Sequence, residues 1–273
     1  MSTQTPSQAM SRPQRHSPTS LKVFETCPKQ FEYAYVERIK ADESPAAELV
    51  FGNALHEALA FLHRMPVEER SVEAAHAALR HFWARTERAG AFLEEAEEIV
   101  WGKRALAVLD QYCANYDLAA QPLAVERWVR AMLPSGAVLS GKADRVDRSP
   151  DGDGLEVIDY KSGRCRINDD AGLRRDLGAM VYALATARTF RKPVLRVRFL
   201  FIAEGVERRW DLEAEDLASI ETELGKLTTR VEQTGDFTAV PGRHCDWCRF
   251  VDRCPAQGGA SLEALSGASA VAF

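Results

Sequence analysis

Residues 139–161 read LSGKADRVDRSPDGDGLEVIDYK, and this stretch predicts the β-hairpin on which the fold depends. Two runs suited to strands flank RSPDGDG, whose Pro, Asp and Gly residues favour a turn. If the strands pair symmetrically about the middle of that turn, opposed residues have numbers that sum to 303. Asp144 then faces Asp159.

The opposed carboxylates indicate a metal site. Directly opposed side chains in an antiparallel pair stand about 4.5–5.5 Å apart at Cβ, where like charges destabilise unless a cation lies between them. Lys161 projects on the same face as Asp159, whereas Tyr160 points away. Oxygen ligands suit Mg²⁺ or Mn²⁺, and such a metal with a neighbouring lysine supports attack on a phosphodiester. The alternative is an exposed sheet face with solvated charges.

The chain outside the hairpin predicts helices before it and more strands around it. Helical periodicity covers residues 20–35, 49–64, 71–90, 92–118, 170–190 and 217–231. Strand-like runs lie at 125–133, 194–203 and 206–212. We therefore expect an α/β protein with a disordered tail at 1–17, a helical region at 18–120, an α/β core at 121–240, a cysteine motif at 241–256 and a flexible tail at 257–273.

The overall composition is that of a globular protein. The chain has 273 residues, of which 46% are hydrophobic and 27% charged, with a net charge of −5. That charge excludes a uniformly basic coat, so a polyanion site must be local. No apolar run has the ~18 residues of a membrane span, and no signal peptide is evident, so we expect a cytoplasmic protein without membrane contact.

One local segment is basic. Residues 161–198 hold ten Lys/Arg against three Asp, a local net charge of +7. This zone adjoins the predicted carboxylate and lysine site and suits a polyanionic backbone. A solvated charged face is the alternative. The candidate nucleic-acid contacts are Arg164, Arg166, Arg174 and Arg175.

The cysteines predict a second metal site. Cys245, Cys248 and Cys254 form a C-x2-C-x5-C run, which is one thiolate short of four ligands. Cys27 is the best fourth ligand because the other two cysteines have simpler explanations. Like Cys254, it also precedes a proline, as the last cysteine of some iron–sulfur runs does. The alternative for Cys27 is a buried small hydrophobic residue. A zinc site that uses His244 and the three local cysteines is the rival. The other two cysteines have simpler explanations: Cys113 lies on an apolar helix stripe, and Cys165 lies in a polar loop.

Two helices carry further candidates. His56 lies at the edge of the apolar stripe of its helix, where it is either a nitrogen ligand for the metal or a surface histidine. His63 shares that face seven residues later. On the 170–190 helix, Arg175, Gly178 and Tyr182 are expected to share one face, and Gly178 would allow a close approach.

Five motifs together resemble a known nuclease family. They are SPTSLKVFETCPKQFEY (17–33), FGNALHEAL (51–59), GKADRVD (141–147), VIDYKSG (157–163) and HCDWCRFVDRCP (244–255). The set resembles the PD-(D/E)XK nuclease superfamily, and within it the RecB-like iron–sulfur branch that includes AddB-type and CRISPR-associated exonucleases. That resemblance implies a restriction-endonuclease-like core, a central mixed sheet flanked by helices, within the 121–240 segment, and a C-terminal iron–sulfur motif.

The resemblance also implies roles for individual residues. Catalysis would fall to Asp144, Asp159, Lys161 and Tyr182, and the metal ligands would be His56, Asp144, Asp159 and the Tyr160 carbonyl. Cys27, Cys245, Cys248 and Cys254 would hold a 4Fe-4S cluster. The implied activity is Mg²⁺- or Mn²⁺-dependent hydrolysis of DNA, by a single-strand exonuclease in repair, recombination or defence with a helicase or other partner protein.

One residue departs from the family pattern. DLGAMVYAL keeps Tyr182 but has Gly178 where the family usually places Gln, a residue thought to orient substrate or the lysine. We still expect the chemistry to survive. Two other classes compete with a nuclease: a non-catalytic nucleic-acid-binding or partner-recruiting module, and an iron–sulfur redox or sensing protein. The combination of Asp144, Asp159 and Lys161 favours catalysis, because binding alone needs no opposed carboxylates.

Overall fold

The structure is a computed structural model that describes residues 15–40 and 45–257. Most of the predicted tails, residues 1–14 and 258–273, lie outside the described residues. Residues 15–17, which we had placed in the N-terminal tail, have regular structure: Arg15–His16 forms a short strand, β1, and Ser17 caps the first helix.

The chain divides into two compact units. In its described part, the first unit comprises residues 15–40, 132–138 and 223–257, and the second comprises residues 45–131 and 139–222. These units cross the segments predicted from the sequence. The N-terminal segment around Cys27 and the cysteine motif at 241–256 belong to the same unit, although they are far apart in sequence.

Eight α-helices lie in the described part of the chain. They are α1 Pro18–Thr26, α2 Pro28–Phe31, α3 Ala47–Arg64, α4 Val72–Arg85, α5 Glu95–Asn115, α6 Asp170–Leu173, α7 Leu177–Phe190 and α8 Asp216–Gln233. A π-helical turn, Glu32–Val36, follows α2, and 3-10 turns occur at Val67–Glu69, Arg243–Trp247, Val251–Arg253 and Pro255–Gln257. Among these described helices, none has both the length and the apolar character needed to cross a membrane.

The second unit is built on five strands of a mixed sheet, apart from their residues 132 and 138. Its strands are β2 Ala124–Met132, β3 Val138–Arg148, β4 Leu155–Lys161, β5 Val194–Phe201 and β6 Val206–Asp211. β2 pairs with β3, β3 and β4 are antiparallel, β4 and β5 are parallel, and β5 and β6 are antiparallel. In the hairpin, Arg145 pairs with Ile158 and Arg148 with Leu155. The predicted register, with numbers that sum to 303, is therefore confirmed.

Helices cover both faces of β4 and β5. Alternate residues Ile158, Tyr160 and Leu200 are buried in one core with α3, α4 and α5. On the opposite face, α7 packs against β5 and β4, and the Phe199 ring lies close to Gly178. Because neighbouring strand residues point to opposite faces, Asp159 and Lys161 project away from the α3–α5 core. The α/β prediction of a mixed sheet flanked by helices is confirmed.

Two helices predicted as continuous are interrupted. Cys27 has an extended backbone, with φ −159° and ψ 106°, between α1 and α2. Proline disfavours the helical region for the residue before it, and Pro28 follows Cys27. The predicted 170–190 helix breaks before Asp176, whose carboxylate caps α7. Arg175 thus lies outside α7, and the expectation that it shares a helix face with Tyr182 is wrong.

Candidate active site

Asp144 and Asp159 lie close together on the paired strands β3 and β4. Both side chains are buried, at 7% and 3% residue exposure. The backbone N–H of Tyr160 donates to Asp144 Oδ2 at 2.7 Å, which orients that carboxylate. Burial, aided by the charge of Asp144, raises the pKa of Asp159 to about 6. The hairpin therefore concentrates negative charge that a cation would relieve.

Lys161 neutralises part of this charge. Its ammonium forms an ion pair with Asp159 and lies 4.4 Å from the centre of the Phe199 ring. Burial opposes the charged form, but Asp159 outweighs it and raises the pKa of Lys161. The cation–π contact with the Phe199 ring adds to that stabilisation. Lys161 thus stays protonated beside the carboxylates.

His56 reaches the same site from α3. Its Nδ1 lies 3.2 Å from Asp144 Oδ1. Burial opposes protonation of the imidazole, yet the hydrogen bond to Asp144 raises its pKa. One turn earlier, a Cβ at Gly52 would lie 2.8 Å from Ser162 Oγ. The missing side chain at Gly52 therefore lets α3 approach the loop after Lys161, so that His56 can reach Asp144.

The sequence analysis missed Glu126, which the structure places in this site. One ligand atom from each of Glu126, His56 and Asp144 lies within 4.8 Å of the other two. Glu126 also forms an ion pair with Lys142, and burial raises its pKa. Its φ of 55° is unusual for a residue with a side chain, and such strain concentrates at functional sites. The available signal was that Glu126 is the only acidic residue in β2.

Tyr182 faces the acidic cluster from α7. Its ring packs so closely on β3 that a Cβ at Gly141 would lie 2.8 Å from Tyr182 Cε1. Burial, then the charges of Asp159 and Asp144, raise the pKa of Tyr182. The side chain is therefore a neutral phenol that can donate a hydrogen bond at the site.

The residue that departs from the family pattern is tightly enclosed. Asp176 Oδ1 accepts the backbone N–H of Gly178 at 2.8 Å. A Cβ at Gly178 would lie 2.8 Å from that same oxygen and 3.4 Å from Phe199 Cζ. The Asp176 cap and the Phe199 ring thus leave no room for a side chain at this position without a shift.

Much of the predicted basic zone is neutralised. Its paired cations form ion pairs as follows: Arg188 with Glu221, Lys192 with Asp153, Arg196 with Asp211, and Arg198 with Glu156 and Glu207. By contrast, Arg164, Arg166, Arg174 and Arg175 are exposed. Within the described residues these four make no ion pair, so they remain the candidate contacts for a polyanion.

In the first unit, the four predicted ligand cysteines line one cavity. Cys27, Cys245, Cys248 and Cys254 surround it together with Lys29, Tyr33 and His244. The backbone N–H of Val240 approaches Cys27 Sγ at 3.5 Å, and that of Gly242 approaches Cys245 Sγ at 3.4 Å. The other two cysteines are elsewhere: Cys113 packs on the α3–α5 core, and Cys165 Sγ lies 3.3 Å from the Ile167 carbonyl.

The comparisons with known proteins agree with a metal-dependent nuclease. Residues 15–255 match the PD-(D/E)XK nuclease superfamily. This chain therefore belongs to the PD-(D/E)XK nuclease superfamily.

The solved structures that are similar to this chain include two that it covers over most of their length. One is a putative exonuclease from Eubacterium rectale, with 14% identity, coverage of 86% of this chain and 87% of that chain, and a TM-score of 0.53, which shows a shared fold. The other, SSO0001, has 15% identity, coverage of 90% and 88%, and a TM-score of 0.40. No curated protein matches the chain.

Proposed function

We propose that this protein is a Mg²⁺- or Mn²⁺-dependent deoxyribonuclease that hydrolyses phosphodiester bonds. The observation that carries the proposal is the convergence of Asp144, Asp159 and Lys161 on one hairpin, with His56 reaching Asp144 from α3. Two buried carboxylates so close to each other raise the free energy of the folded state unless a cation lies between them. A role limited to binding would need no such arrangement.

The proposed metal ligands are His56, Asp144, Asp159 and the Tyr160 carbonyl, and we add Glu126 to this set. Carboxylates and a backbone carbonyl are the oxygen donors that Mg²⁺ and Mn²⁺ prefer. When bound, the metal supplies a more acidic water and compensates charge on the phosphate.

The protein side chains serve the hydrolysis itself. In the reaction, a water oxygen bonds to phosphorus, one P–O ester bond breaks, and the leaving oxygen takes up a proton. Negative charge grows on the phosphoryl oxygens along the way. The Lys161 ammonium, held by Asp159 and the Phe199 ring, is positioned to oppose that charge. Tyr182, as a neutral phenol, adds a hydrogen-bond donor.

We further propose that the substrate is single-stranded DNA, cleaved from an end. The exposed side chains of Arg164, Arg166, Arg174 and Arg175 support binding of a phosphate backbone. The fold shared with a putative exonuclease supports the exonucleolytic mode. The motif resemblance supports a role in DNA repair, recombination or defence with a helicase or other partner protein.

We also propose a 4Fe-4S cluster on Cys27, Cys245, Cys248 and Cys254. All four cysteines line one cavity, so Cys27 lies beside the three C-terminal cysteines although it is distant from them in sequence. Four thiolates are the usual ligand set of a 4Fe-4S cluster. Such a cluster would tie residue 27 to residue 245 and stabilise the first unit.

The nuclease proposal is tested with end-labelled linear and covalently circular single strands of DNA and RNA. We expect Mg²⁺ or Mn²⁺ to support loss of terminal nucleotides from linear DNA, and EDTA to stop it. Asp159→Asn should abolish cleavage, whereas Asp153→Asn, at an exposed turn residue, should not. Cleavage of circles would show an endonuclease. Full activity of folded Asp159→Asn protein would refute the catalytic assignment.

The cluster proposal is tested by anaerobic purification. We expect brown protein with broad absorbance near ~400 nm, lost in Cys27→Ser and retained in the control Cys113→Ser. Colourless protein with one zinc per chain, unchanged in Cys27→Ser, would instead establish the zinc site formed by His244 and the three local cysteines.

A further inference from the structure

A chain of hydrogen bonds runs through the core of the second unit. The hydroxyls of Tyr160 and Tyr112 are 3.1 Å apart, and Tyr112 Oη lies 2.7 Å from His63 Nε2. Arg145 Nη1 approaches both His63 Nε2, at 3.2 Å, and Tyr112 Oη, at 3.4 Å. A bidentate pair with Asp147, at 2.9 and 2.5 Å, holds the guanidinium.

The donors and acceptors of this chain have one consistent direction. Arg145 can only donate, so His63 Nε2 is the acceptor and the ring proton lies on Nδ1. Nε2 has a single lone pair, to which the Tyr112 hydroxyl donates at the shorter distance of 2.7 Å, and the Tyr112 oxygen accepts from Tyr160 and from Arg145. Burial, followed by the charge of Arg145, lowers the pKa of His63 to about 3, which keeps the imidazole neutral and the direction unchanged.

Burial of these polar side chains costs free energy. The exposed fraction is 3% for His63, 1% for Tyr112, 6% for Arg145 and 3% for Tyr160. His63 Nδ1 has no hydrogen-bond partner among the described residues. Apolar side chains of similar volume often stabilise a core as well as or better than buried polar groups do. Stability alone therefore does not explain these buried hydrogen-bonded side chains, and a functional role would.

The chain of hydrogen bonds ends at the active site. Tyr160 lies between Asp159 and Lys161 on β4, and its backbone N–H donates to Asp144 Oδ2. Its phenol hydroxyl, on the other face of the strand, forms the hydrogen bond with Tyr112. Any rotation or sliding of this residue would move the Asp144 carboxylate and the Tyr160 carbonyl together.

We propose that His63, Tyr112 and Arg145 are positioning residues that clamp the Tyr160 side chain and so fix the metal-binding groups on the opposite face of the sheet. This inference rests on the proposed function, since it concerns the same metal site. Partners behind metal ligands orient those ligands, and their loss commonly costs 10–100-fold in metal affinity.

The test measures Mn²⁺ binding by electron paramagnetic resonance without substrate, beside thermal melting and cleavage. Tyr160→Phe removes only the hydroxyl, and we expect about 10-fold weaker Mn²⁺ binding. Tyr116→Phe is the matched control, because the Tyr116 ring packs 4.9 Å from that of Tyr112 but lies outside the hydrogen-bonded chain. His63→Ala should weaken Mn²⁺ binding, and His63→Gln, which can still accept from Tyr112, should restore most of it.

The outcomes separate this inference from the proposed function. If wild-type protein binds Mn²⁺ and cleaves DNA, but Tyr160→Phe and His63→Ala lower only the melting temperature, the network is merely structural and the positioning role is refuted. Wild-type protein that neither binds Mn²⁺ nor cleaves would overturn the positioning role and the nuclease proposal together. Weaker Mn²⁺ binding in both variants, with Tyr116→Phe unchanged, supports the inference.

Discussion

Replacement of Gly52 by Ala tests how α3 approaches the active site. A glycine inside a helix costs about 0.8–1 kcal/mol relative to alanine, so an unobstructed change would raise the free energy of unfolding by that amount. At Gly52 the new Cβ would lie 2.8 Å from Ser162 Oγ, well inside ordinary contact. Overpacking of this kind costs about 1–3 kcal/mol. We therefore expect Gly52→Ala to lower the free energy of unfolding by about 1 kcal/mol.

Gly102 is the matched control for this change. It lies within α5, and a Cβ there would meet nothing within 4 Å. Gly102→Ala should then show the full gain of about 0.8–1 kcal/mol, so the two variants should differ by about 2 kcal/mol. A difference of each kcal/mol shifts the melting temperature by about 2–4 °C in a protein of this size. Urea denaturation and thermal melting of both variants measure the difference.

A second change in the same pair sharpens the test. Ser162→Ala removes Oγ and leaves Ser162 Cβ at 3.7 Å from the new methyl group, an ordinary contact. The double variant should regain the stability of Gly102→Ala. Gly52→Ala should also lower cleavage by displacing His56, and the double variant should regain that cleavage, provided that Ser162→Ala alone is active. If Gly52→Ala is as stable as Gly102→Ala, the expected strain between the new methyl group and Ser162 Oγ is refuted.

Three further predictions concern single residues. Glu126→Gln should weaken Mn²⁺ binding measured without substrate, and unchanged binding would remove Glu126 from the ligand set. Gly178→Gln should displace the Asp176 cap of α7 and so lower the free energy of unfolding by about 1 kcal/mol, the usual contribution of a helix cap. In an Asp176→Ala background, where the cap is already absent, urea denaturation should show little further loss of stability from Gly178→Gln. His63 has a folded pKa of about 3, below its ordinary value of 6.5, so its contribution is present above about pH 6.5 and is lost as the pH falls and the unfolded chain takes up a proton. Between about pH 7.5 and about pH 5, wild type should lose about 2 kcal/mol more than His63→Gln, and equal losses would contradict a buried neutral imidazole.

The sequence was sufficient for the local elements of this protein. The helical and strand periods located α3, α4, α5 and the strands of the sheet, because those patterns depend on which face of an element is buried. The turn chemistry of RSPDGDG was enough for the hairpin register, since pairing beside a short turn is a local property. It followed that Asp144 and Asp159 would face one another.

Two breaks in the predicted helices could also have been predicted from the local sequence. Cys27 interrupts a helix because Pro28 follows it, and Asp176 starts a new helix by capping it. Both signals were present in the sequence, but the apolar periodicity on either side outweighed them. The break at Cys27 places a cysteine at the cavity, and the break before Asp176 leaves Arg175 outside α7.

Only the tertiary structure could show which distant residues share a site. Glu126 lies in the cluster and has an unusual backbone angle in β2, and no periodic pattern encodes either feature. Which arginines form ion pairs likewise depends on contacts between elements, such as that of Arg198 with Glu207, which a charge count cannot reveal. For His63, the sequence indicated its position on a helix. Its hydrogen-bond partners Tyr112 and Arg145 lie on other elements and could not be predicted. Sequence patterns report the burial of a face, whereas the pairing of polar groups within a core is decided by how the elements pack.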